Sequence, residues 1–106
     1  MPIEQIHNKR LLEGVLRGAG EKPVPISFIS PKCGHCKRLM TFLESQQQKM
    51  PNVIFRIVDV DVSKDLMNEF GIDSVPVTFI FKNGVLRCKV IGANMELLLN
   101  NLMEMN

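Results

Sequence analysis

Two cysteines three residues apart, Cys33 and Cys36, are the side chains in this sequence best suited to chemistry. A thiolate is both a nucleophile and a metal ligand. Such a pair can therefore close to a disulfide, supply half of a zinc site, or lie inert in a core. The segment Ser30-Pro31-Lys32-Cys33-Gly34-His35-Cys36-Lys37 follows an apolar run, Val24 to Ile29, and opens a stretch with helical periodicity. That position is the carboxyl end of a buried strand, where open α/β sheets carry their sites. It is also a helix N-terminus, whose free N–H groups and dipole favour negative charge. Lys32, His35, Lys37 and Arg38 make the surroundings basic, which lowers a thiol's pKa. A spacing of three on a helix puts both sulfurs on one face, within disulfide reach. Zinc needs four ligands as a rule, and Cys88, His7 and His35 form no second ligand pair. A dithiol that closes and reopens is the economical reading, with no metal or other cofactor expected. Cys88 is expected to be a plain side chain of a late strand, and His7 a surface residue.

The elements that must hold this pair can be read in order. Residues 3–6 suggest a short strand. Asn8 caps a helix with the stripe Leu11, Leu12, Val15, Leu16 and Ala19, which Gly20 stops. Pro25, lacking an N–H, belongs at the start of the strand over 24–29 or where no ladder bond is needed. The helix that begins near the cysteines runs to about Lys49, with Leu39, Met40 and Leu43 inward, and Pro51-Asn52 ends it. Val53 to Val58 is β-rich, and Ser63 caps a short helix that Gly71 ends. Val77 to Phe81 and Val85 to Ile91 are strands joined through Asn83-Gly84, the strongest short hairpin signal. Asn94 caps a last helix with Met95, Leu98, Leu99 and Leu102 inward. The methionines read as core filler, with Met40 near enough to the cysteines to touch a substrate. A strand–helix–strand crossover makes its two strands parallel, and the hairpin is antiparallel. The expected fold is α/β: one domain, residues 1–106, with a central mixed β-sheet and helices on both faces.

Composition excludes other classes. Leu, Ile, Val and Phe make up about a third of the chain, well above the ~20% below which disorder is expected. A net charge of +2 is too small for a nucleic-acid footprint without a basic stripe. No apolar run approaches the ~20 residues that span a membrane. Three cysteines, an odd set, suit redox or metal chemistry better than a secreted disulfide scaffold. Charged residues interrupt the start of the chain, so a secretory signal is not read there, and a cytoplasmic location is expected.

Over essentially its whole length the chain resembles the thioredoxins and their relatives. Cys33-Gly34-His35-Cys36-Lys37 looks like the active-site motif in the form commonest in protein disulfide isomerase domains. Val58-Asp59-Val60-Asp61, Val75-Pro76-Val77-Thr78-Phe79, Phe81-Lys82-Asn83-Gly84 and Val90-Ile91-Gly92-Ala93 match further family motifs in order and spacing. The resemblance implies a thioredoxin fold, with Cys33 as attacking and Cys36 as resolving cysteine; His35, lying between them, is expected to favour the thiolate electrostatically and tune the redox potential. It also implies a cis peptide before Pro76, with the backbone at Val75 pairing with a substrate chain. Lys32, Gly34 and Gly92 complete the expected substrate-binding surface. The implied activity is thiol–disulfide exchange on disulfide-containing client proteins, and a monomer is expected. The implied electron donor is a flavin- and NADPH-dependent reductase of the thioredoxin-reductase type. Isomerase or oxidant activity is the alternative within the class, and a binding module with little turnover is the alternative outside it.

Three positions depart from the family pattern. Its tryptophan before the first cysteine is here Lys32, its buried acid six residues before that cysteine is Ser27, and the lysine that often partners the acid is Ile57. With the acid and lysine both missing, resolution of a mixed disulfide is expected to be slow.

Overall fold

The computed structural model describes residues 2–105, so Met1 and Asn106, although inside the expected domain, lie outside the described residues. Nine elements follow in the order β1 (Glu4–Gln5), α1 (Lys9–Gly18), β2 (Val24–Ile29), α2 (Gly34–Lys49), β3 (Arg56–Asp59), α3 (Lys64–Glu69), β4 (Val77–Lys82), β5 (Val85–Ile91) and α4 (Met95–Met105). They form one five-stranded sheet in the order β1-β3-β2-β4-β5. β1, β3 and β2 are parallel, and β2, β4 and β5 antiparallel, so the mixed sheet follows from the crossover and the hairpin. β2 lies at the centre, and all six of its residues are buried.

Local chemistry sets most boundaries. Asn8 and Asn94 accept the Leu11 and Leu97 N–H at 2.8 Å and 3.1 Å, capping α1 and α4. Asn83 and Gly84 both have positive φ, 55° and 74°, the conformation of a two-residue type I′ hairpin turn. Two expectations need correction. Ser63 does precede α3, but its buried hydroxyl bonds no partner among the described residues. Its backbone, at φ −105° and ψ 66°, lacks the extended geometry from which a capping side chain reaches forward. The third strand begins at Arg56 and not at Val53. In the parallel register, the Ile54 N–H reaches the Pro23 carbonyl at 2.9 Å. The next rung needs an N–H from residue 25, which is proline, so the ladder opens only at Ile26 opposite Arg56. Val53 and Phe55 are nonetheless buried, because the segment keeps its alternation without its ladder.

That alternation divides the core. Ile29, Ile57, Ile80 and Val90 face α2 and α4, meeting Leu39, Leu43, Leu98 and Leu102. Ile26, Phe28, Val58 and Phe79 face α1 and α3, meeting Leu12 and Leu66. On the second side Phe28, Phe70 and Phe79 form a ring cluster with centroids 5.0–5.5 Å apart. The methionines sit at the margins, a third correction, to their reading as core filler: Met40, Met50, Met67, Met95 and Met105 are half-buried and Met103 is exposed. An unbranched flexible chain suits such irregular edges.

Candidate active site at the start of the second helix

The polypeptide leaves β2 at Ile29 and makes a turn, closed by a bond from the Cys33 N–H to the Ser30 carbonyl at 3.1 Å. Cys33 is therefore the N-cap of α2, with extended backbone at φ −99° and ψ 120°. Its sulfur takes the place of a capping oxygen and accepts the Cys36 N–H at 3.2 Å. The Cys33 thiol also points at the Val75 carbonyl, 3.9 Å away. Cys33 is half-buried while Cys36 is only 1% exposed, so the Cys33 residue is the more accessible of the two.

The two thiols are driven apart in acidity. Cys33 is held below the usual thiol range, chiefly because the Cys36 side chain hydrogen-bonds its sulfur, with help from the backbone N–H groups of Cys36 and His35. Burial opposes this but does not win. Cys36 is pushed up to about 11, first by desolvation and then by its role as donor to Cys33. The pair thus favours a thiolate on the outer sulfur and a proton on the inner one. Burial also raises the thiol of half-buried Cys88 on β5.

Of the other residues read from sequence, Lys32, Gly34 and His35 lie exposed on the same turn. The His35 ring meets the residue three on along the helix: its Nδ1 accepts a hydrogen bond from the Arg38 guanidinium. Val75 and Pro76 arrive from the loop before β4, joined by a cis peptide bond. Gly92, at φ 77°, donates its N–H to the Pro76 carbonyl at 2.8 Å. Ser27 and Ile57 are register neighbours on β2 and β3, both buried. Among the described residues, no group of three or more His, Cys, Asp or Glu is arranged to hold a metal ion. No helix of the described residues is long and apolar enough to cross a membrane.

Three polar residues that stood in the sequence only as members of motifs have contacts no spacing predicted. Thr78 meets Ser27 hydroxyl to hydroxyl at 2.7 Å. Ser30 donates its hydroxyl proton to Asp61 at 2.8 Å. The available signal was positional: Ser30 and Asp61 each follow an apolar strand, and parallel neighbours end at the same edge of a sheet.

A family model described as thioredoxin matches residues 4–104. The chain belongs to the thioredoxin family. Pig and human thioredoxin are each 36% identical to it over 94 residues, covering 89% of this chain and 90% of theirs. Among solved structures, the family fold is shared with a thioredoxin of Fasciola hepatica at a TM-score of 0.93 and 20% identity, covering 98% of this chain and all of that one. Spinach chloroplast thioredoxin f superposes with a TM-score of 0.90 at 28% identity, covering 98% of this chain and 93% of that one. Oxidized mitochondrial thioredoxin 3 of Saccharomyces cerevisiae does so at 0.88 and 28%, covering 96% and 94%. Like other thioredoxin-family members, the chain is a thiol–disulfide oxidoreductase with a single-domain thioredoxin fold. Such an enzyme carries its redox group in its own cysteines and needs no bound cofactor.

Proposed function

We propose that this chain reduces disulfides in partner proteins, with Cys33 as the attacking thiolate and Cys36 as the resolving thiol. The observation that carries the assignment is the contrast between the two sulfurs. Cys33 is accessible, caps a helix and has a lowered pKa, whereas Cys36 is buried and protonated. Cys33 attacks one sulfur of the client disulfide, forming a mixed disulfide and releasing the other client sulfur as a thiolate. Cys36 then loses its proton and attacks the Cys33 sulfur. The mixed bond breaks, the client leaves fully reduced, and the oxidised Cys33–Cys36 pair takes two electrons from a reductase of the flavin- and NADPH-dependent type.

A client segment would run along the Val75 backbone as an added strand. Pro76 and Gly92 shape that edge, Gly34 leaves room beside the sulfur, and Lys32 lies where the segment continues. His35 has a tuning role, its backbone N–H favouring the thiolate and its ring bound to Arg38. The setting is cytoplasmic electron transfer by a monomer. Isomerase or oxidant activity is the alternative direction of flow for the same dithiol. Loss of the family acid at Ser27 favours a second reading, a binding module with little turnover. Insulin reduction coupled to NADPH and a thioredoxin reductase separates the two. Sustained NADPH oxidation supports the reductase, and none above a Cys33→Ser control overturns it.

A further inference from the structure

Asp61 lies on the loop after β3, yet its carboxylate is bound into the turn that carries Cys33. The Ser30 hydroxyl donates to Asp61 Oδ2 at 2.8 Å and accepts the Lys32 N–H at 3.3 Å. The Ser30 carbonyl accepts the Cys33 N–H at 3.1 Å. Ser30 is 8% exposed and Asp61 is exposed, so the bond between them is part-buried. Asp61 is itself fixed, because its N–H donates to Asp59 Oδ1 at 2.9 Å and the neighbouring N–H groups of Val62 and Ser63 both bond the Asp59 carbonyl. Proline at 31 has no N–H to donate within the turn.

We infer that Ser30 and Asp61 are positioning residues for thiol–disulfide exchange: their hydrogen bond clamps the 30–33 turn so that the Cys33 sulfur sits over the Cys36 N–H. The Ser30 side chain bonds Asp61 and the Lys32 N–H, while its backbone hydrogen-bonds the Cys36 thiol. The clamp acts through the Cys33 backbone, whose extended conformation sets the 3.2 Å contact between its sulfur and that N–H. The inference rests on Cys33 being the attacking thiol.

The charge on Asp61 and its hydrogen bond act on Cys33 in opposite senses, which makes the inference testable. A carboxylate near a thiol raises the thiol's pKa through space, whereas holding the sulfur over an N–H lowers it. The other charged or titratable groups around the sulfur are Cys36, Lys32, Lys37 and the His35–Arg38 pair on or beside α2. From the loop before β4 comes the uncharged Val75 carbonyl, with Asp73 two residues earlier in the chain. The β5–α4 turn brings the uncharged Gly92 and Ala93 to this side.

The experiment measures the iodoacetamide reaction rate of Cys33 against pH, in Cys36→Ser backgrounds, for Ser30→Ala, Ser30→Thr, Asp61→Ala and Asp61→Asn. Clamping predicts that Ser30→Ala and Asp61→Ala raise the midpoint by about half a unit, roughly a threefold loss of thiolate below it. Ser30→Thr, which keeps the hydroxyl, and Asp61→Asn, which keeps an acceptor but no charge, should lie at or below the parent midpoint. If Asp61→Ala and Asp61→Asn lower the midpoint together, the carboxylate acts only by charge and the clamp is overturned. Unchanged midpoints in both alanine variants overturn it as well. Should Ser30→Ala fail to fold, the Asp61 pair decides alone. A parent midpoint no lower than an ordinary thiol's would instead remove the reading of Cys33 as the activated nucleophile.

Discussion

The hydroxyls of Ser27 and Thr78 meet at 2.7 Å between adjacent central strands, each residue 1% exposed. They are register partners on β2 and β4, on the sheet face that packs against α2. Each satisfies the other, so the position carries no charge and no unpaired polar group. A hydroxyl cannot accept a proton near neutral pH, and the neighbouring Ile57 offers no substitute. Cys36, with a pKa pushed up to about 11, must therefore lose its proton to water or to a group nearer the surface.

Replacing Ser27 by Asp should accelerate resolution. Stopped-flow decay of a preformed Cys33 mixed disulfide is expected to quicken by at least about tenfold, below the ~100-fold or more of an optimally placed base. The buried carboxyl, helped by one hydrogen bond from Thr78, should cost about 1–3 kcal/mol at neutral pH. Desolvation raises its folded pKa above the unfolded ~3.9, so the cost is absent below that unfolded value and grows as pH rises through the folded one. Equal decay rates in folded samples would show that the proton leaves by another route.

The thiolate of Cys33 should titrate below the ordinary ~8.5 in Cys36→Ser, whose hydroxyl still donates to the sulfur. Cys36→Ala removes that side-chain donor, the largest cause of the shift, and should titrate higher. His35→Ala keeps its backbone N–H and should raise the midpoint less than Cys36→Ala does. Ultraviolet thiolate absorbance against pH ranks all three, and a reversed order of the two alanine variants would contradict the assigned cause.

Covalent capture tests the division of labour between the sulfurs. Cys36→Ser can attack but not release, so mixed disulfides with client proteins should accumulate in lysate and dissolve on adding a reductant. Cys33→Ser should trap none of them. Equal capture by the two variants would mean that Cys36 does not resolve the intermediate.

Burial of Cys36 makes an alkaline signature. Its folded pKa is raised, so the stability it contributes is complete below the unfolded thiol value near ~8.5 and is lost as pH rises through about 11. The reduced parent should therefore lose more stability over that window than Cys36→Ala. Cys33 runs the other way: its lowered pKa contributes stability above the unfolded value that fades as pH falls through the folded one. Urea midpoints in excess reductant, at neutral and alkaline pH, measure the difference, and Cys88 cancels because both proteins carry it. Parallel pH profiles would refute the assignment.

What the sequence determined by itself is what short-range chemistry encodes. Asn8 and Asn94 cap their helices because an Asn side chain reaches an N–H three residues on. Asn83-Gly84 folds the hairpin because both residues tolerate positive φ. The strand–Cys-x-x-Cys–helix order put Cys33 at a helix start and Cys36 inside its first turn, and the family motifs carried the cis peptide before Pro76. Only the tertiary structure decided the contacts that tune the site. Thr78 reaches Ser27 across 51 residues, Val75 reaches Cys33 across 42, and Asp61 reaches Ser30 across 31. Each meeting depends on strand order and register, which are set by the burial of whole faces and not by any local signal. The delayed start of β3 has the same origin, since Pro25 interrupts a ladder only when the register puts its missing N–H opposite Ile54. The buried, unbonded hydroxyl of Ser63 belongs there too, where packing fixed a backbone that its own capping chemistry would not have chosen.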